Sequence, residues 1–184
     1  MSTPSQDGKH PVSPLLAGPY GHPLHPLLVT VPIGAWVASL VFDIGSHVAG
    51  RGSVLADGSL WLIAVGVLGA LAAAGVGFLD LFAIPTGTRA FRTGLVHMSL
   101  NLTVTVAYAI GFAWRRGGYG HSASVGAGQL ALSAVSLAVL AVSGFLGGKL
   151  AYRYGVRVAA ESVQREGLEP TSATPSIPLP TTRK

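Results

Sequence analysis

Four stretches of this chain run for bilayer-crossing lengths with almost no ionised side chain, and that property restricts the fold more than any other. Residues 127–148 hold no charge, residues 94–114 hold one histidine, His97, residues 60–84 hold Asp80 alone, and residues 26–49 hold Asp43 and His47. A hydrocarbon core of about 30 Å takes about 20 helical residues. Inside it a backbone N–H or C=O finds no water, so helices that satisfy their own backbone are the form such segments adopt. The expected fold is an all-α, integral membrane four-helix bundle with short loops. Its charged fraction of 10% and hydrophobic fraction of 49% also fit a membrane chain better than a soluble domain. The spans take up about half the chain, which leaves no room for a soluble catalytic domain. A flexible N-terminal tail is expected over 1–20, one membrane domain over 21–158, and a disordered tail rich in Pro, Ser and Thr over 159–184.

The absence of cysteine excludes disulfides, thiolate nucleophiles, iron–sulfur ligation and covalent haem attachment, so histidine, carboxylate and backbone must carry any chemistry. A net charge of +5 raises the question of nucleic acid. The basic residues, however, lie at span ends and in tails with no stacking motif between them, and a lipid surface explains them better. No catalytic triad, Walker loop, dinucleotide fingerprint or HExxH pattern is present, which points to a non-catalytic protein. Residues 1–20 hold four prolines and do not resemble a secretory signal, so the first span is expected to act as its own targeting signal.

Four spans put both ends of the domain on one side. That side holds Lys9, Arg89, Arg92, Lys149, Arg153 and Arg157, against Arg51, Arg115 and Arg116 opposite, so both termini are expected in the cytoplasm. The first span opens with HPLHP, where Pro23 and Pro26 bias His22 and His25 away from helical backbone and Pro26 suits a first helical turn. Pro32 frees the carbonyl of Leu28 and predicts a slight kink. Asp43 and His47 share a face with Arg51, which reads as a pair satisfied by that arginine in preference to half of a proton path. In the second span Gly66, Ala70 and Ala74 form one small-residue row and Gly69, Ala73 and Gly77 the next, suited to close helix contact within the chain or between copies. His97 and Asn101 share a face of the third span, while Ser133, Ser136 and Ser143 line the fourth, where Gly144 and Gly148 make a GxxxG pair.

Because alternate spans run in opposite directions, His22, His25, Asp80 and His97 fall at one depth although they are scattered in sequence. HPLHPLLVTVPIGAWVASLVFDIG, a glycine-rich second span ending in LD, a histidine opening the third and GGKLAYRYG after the fourth together resemble the bacterial membrane proteins of domain-of-unknown-function family 2231. The resemblance covers about residues 21–158 and implies a four-helix inner-membrane protein without an established activity. The resemblance also implies relatives joined to Rieske-type iron–sulfur domains; this chain shows no such domain, so the redox implication is indirect.

The histidines admit two readings. In one, His25 or His22 faces His97 across the bundle as ligands to haem b or a metal ion, with Asp80 orienting His97 through its second ring nitrogen. In the other, the same groups cap helices and pair charges near the membrane surface. Three functions remain open: a redox-accessory subunit working with other membrane or redox proteins, a small proton or solute conductor, and a non-catalytic scaffold of a membrane complex.

Overall fold

The computed structural model describes residues 23–166. Its helices are α1 (Leu24–Leu28), α2 (Thr30–Val48), α3 (Gly52–Phe82), α4 (Arg89–Arg116), α5 (Ala127–Gly148), a π-helical turn (Lys149–Arg153) and α6 (Glu161–Glu166), with no strand among the described residues. Four segments are long and apolar enough to cross a membrane: Leu24–Val48, Gly52–Phe82, Arg89–Arg116 and Ala127–Arg153. The expected N-terminal tail lies outside the described residues. Of the expected C-terminal tail, Glu161–Glu166 is a short helix, and residues 167–184 lie outside the described residues as well.

The first span is two helices separated at Val29. Pro32 has no N–H to give Leu28, so the ladder is interrupted where the sequence predicts a kink, while Val29 still donates to His25 and Ile33 to Val29. His25 differs from its expected extended backbone. Pro23 is the N-cap, in extended conformation, and the helix begins at Leu24, so His25 and Pro26 both lie in the first turn, where a missing donor costs nothing.

The helices close a ring in which α2 packs on α3, α3 on α4, α4 on α5 and α5 on α2. At its middle Trp36, Ile63, Val104 and Tyr108 are almost wholly buried. The indole and phenol rings stack at 4.3 Å with 8° between planes. Trp36 Nε1 donates to Ile63 O at 3.4 Å and Tyr108 Oη to Ser133 O at 3.3 Å, which satisfies both polar tips. A Cβ at Gly66 would overlap the Trp36 indole, so the small-residue row of α3 serves contact within this chain at that point.

The bundle is otherwise turned outward. Val41, Leu68, Val106, Ile110, Val135 and Phe145 are exposed, whereas Ser39, Ser59, Ser133, Ser136 and Ser143 are buried. Lipid is as apolar as leucine, so such helices gain by close packing and interhelical hydrogen bonds, not by hiding large hydrophobic side chains.

Candidate functional site

Two polar clusters occupy opposite ends of the bundle, with the Trp36–Tyr108 layer between them. The first gathers His25, His97 and Asp80. Nδ1 of His25 lies 2.9 Å from the carbonyl of Ala73 on α3, and Nδ1 of His97 lies 2.8 Å from that of Ser143 on α5. A carbonyl only accepts, so in both rings Nδ1 carries the hydrogen, and in a neutral imidazole so held the lone pair is on Nε2.

One device seats both rings. A carbonyl holds Nδ1–H, and a glycine four residues further along the same helix makes room for the imidazole. A Cβ at Gly77 would stand 2.8 Å from His25 Nδ1 and Cε1, and one at Gly147 would stand 3.0 Å from His97 Cε1. The rings approach edge to face, with centroids 6.3 Å apart and planes at 80°. The Asn101 amide donates to the His97 carbonyl at 2.9 Å and its Nδ2 lies 3.1 Å from His97 Nε2, while Ser143 Oγ donates to the same carbonyl at 3.1 Å.

Asp80 does not orient His97. It pairs with Arg157, whose Nε is 3.1 Å from Oδ1, and is in electrostatic contact with His25. His97 takes its orientation from α5 instead. The arginine arrives through an unusual path: the last span ends in the wide π turn, and Gly155 and Arg157 then take left-handed backbone at φ 66° and 59°. Left-handed backbone is unfavourable for a residue with a Cβ, and the ion pair to Asp80 helps to hold it. His22, the other candidate, lies outside the described residues. Among the described residues no three His, Cys, Asp or Glu side chains gather as a metal site would require.

The second cluster is a buried ion pair whose partners differ from those expected along the helix row. Asp43 is fully buried and meets Arg115, from the far end of α4, through two parallel bonds: Nη1 to Oδ1 at 2.6 Å and Nη2 to Oδ2 at 2.8 Å. Ser59 donates to Asp43 Oδ1 and accepts from Nη1 at 3.0 Å, while Nη2 also reaches Ser133 Oγ at 2.9 Å and Gln129 O at 3.1 Å. Each of the four spans therefore contributes. His47 and Arg51, the partners expected from spacing, are exposed. A crevice of about 40 Å³, walled in part by Arg115, Ser122 and Gln129, opens above the pair. The cluster ties the helices together at this end, and every hydroxyl and guanidinium contact within it serves the two charges.

The family of membrane proteins described as "Predicted membrane protein (DUF2231)" matches residues 21–160, most of the chain. The chain belongs to DUF2231. The DUF2231 match takes in all four spans, both polar clusters and the turn that carries Arg157 to Asp80. No match was found among curated proteins or among solved structures.

Proposed function

We propose that this DUF2231 protein is a non-catalytic, redox-accessory membrane protein in which His25 and His97 are the ligand pair for a b-type haem, lying at the cytoplasmic side of a bacterial inner membrane. The observation that carries this reading is the pair itself. Two imidazoles from different helices meet edge to face with centroids 6.3 Å apart, each with its Nδ1–H fixed on a backbone carbonyl, which leaves Nε2, held in His97 by the neutral Asn101 amide, as the atom that could bind iron. Anchoring of that kind sets the tautomer and raises ligand basicity at histidine–metal sites.

The donor set favours haem over a bare ion. Two histidines do not fill the four positions of a structural zinc site, whereas a haem would need no more than His25 and His97 from the protein. When bound, such a group supplies one-electron chemistry. His25 and His97 would hold such a group, with Ala73 and Ser143 fixing the rings and Gly77 and Gly147 leaving them space; the Asn101 amide, now 3.1 Å from His97 Nε2, would have to give up that contact. Asp80 and Arg157 keep the charge beside His25 balanced. A proton or solute conductor is less well supported, because the stacked Trp36 and Tyr108, with Ile63 and Val104, fill the middle of the bundle. The basic residues at the histidine end, taken with the positive-inside tendency, support cytoplasmic termini.

Haem and metal content of detergent-purified variants tests the assignment. His25→Ala and His97→Ala are each expected to lose the bound group while remaining inserted, and Asn101→Ala is expected to keep it. Retention of the group in His97→Ala overturns the ligand assignment.

A further inference from the structure

We infer that the histidine end of the bundle binds the headgroup of an anionic phospholipid, seated on Arg89, Arg92, Lys149 and Arg153. The two ends of the bundle differ in charge. Between residues 80–92 and 149–157 the chain places five basic side chains and one acid, Asp80, which is already engaged by Arg157. At the opposite end Arg51, Arg115 and Arg116 face Asp43 and Asp57, and the most buried of these charges cancel within the Asp43–Arg115 pair.

The four remaining cations of the histidine end form no ion pair with a carboxylate among the described residues. Arg89, Arg92 and Arg153 are exposed, and Lys149 lies over the Tyr154 ring at 5.7 Å, which holds its ammonium at the rim. Helix α4 and the π turn are in contact, which brings the two pairs of cations to the same end of the bundle although they are some sixty positions apart in sequence.

What lies beside this patch selects its occupant. One turn further into the membrane the same two helices present Leu95 and Val96 on α4 and Val142 and Phe145 on α5, all exposed. A cationic rim continuous with an exposed apolar face complements an amphiphile, a phosphodiester on the rim with acyl chains along α4 and α5. Nucleic acid and free phosphate have no use for the apolar part. The patch is distinct from the proposed haem ligands, since among the described residues none of the four cations is hydrogen-bonded to His25 or His97.

The experiment is lipid retention by the full chain in detergent, incubated with equimolar phosphatidylglycerol and phosphatidylcholine and counted by native mass spectrometry. Wild type is expected to retain phosphatidylglycerol over phosphatidylcholine by about tenfold, falling toward parity in R89Q/R92Q/R153Q, which removes three of the four cations. R51Q/R116Q, at the other end, is expected to keep the preference. Equal retention of the two lipids by wild type overturns the inference, as does an unchanged ratio in the triple variant or an equal loss in R51Q/R116Q. Complete displacement of phosphatidylglycerol by inorganic phosphate would assign the patch to free phosphate and overturn the lipid reading.

Discussion

Asp43 and Arg115 meet where neither charge is tolerable alone, and the bundle surrounds them with Ser59, Ser133 and the carbonyl of Gln129 until almost every donor and acceptor is used. Removing one partner of such a pair strands the other, at a cost of about 3–5 kcal/mol, whereas replacing both by apolar residues is close to neutral. Asp43→Asn is therefore expected to lower stability in detergent unfolding by about that amount, and Asp43→Leu with Arg115→Met to recover most of it. A double variant as unstable as the single one would show that the pair contributes more than its own neutralisation. The histidine seats are equally specific. A methyl group at Gly77 would press within 2.8 Å of the His25 ring, so Gly77→Ala is expected to weaken the bond to Ala73 and lower stability by about 1 kcal/mol. An unchanged melt and an unchanged His25 environment by NMR would contradict the seat.

At the scale of elements, local rules account for most of what is seen. The spans were legible from their lengths without charge, and the break at Val29 follows from Pro32, whose ring leaves Leu28 without a donor. That break sets how α1 approaches α3 and where His25 meets Ala73. Pro32→Ala restores the missing N–H and is expected to straighten the span, leaving total helicity by circular dichroism unchanged and weakening the His25–Ala73 contact by about the value of one hydrogen bond, 1 kcal/mol. A variant in which that contact is as strong as in wild type would separate the kink from the site. The π turn and the left-handed Arg157 had no comparable signal. Gly155 marks a turn, but nothing in GGKLAYRYGVRV says that the second arginine folds back onto Asp80.

In the whole molecule, topology decides which residues meet. Alternating spans put His25, Asp80 and His97 at one end, and parity alone is enough to place them there. The same parity puts Arg115 level with Asp43, yet the helix row Asp43, His47, Arg51 offered a nearer pairing, and sequence spacing gives no means of weighing a neighbour four residues away against one 72 positions off. Which helix faces which is set by packing: Trp36 on Gly66, Tyr108 on Trp36, and the serines of α5 toward the interior. From that arrangement come two clusters with different characters, one closed on itself around Asp43 and Arg115, the other bringing together two imidazoles that are each seated by Nδ1 on a backbone carbonyl. The difference underlies the functional proposal. The most direct test is the visible spectrum of the detergent-purified protein, oxidised and then reduced with dithionite, with metal analysis on the same sample. A Soret band that sharpens on reduction is the expected result. A colourless, metal-free protein that stays colourless after haem is added would contradict the proposal and leave His25 and His97 as a clasp between helices.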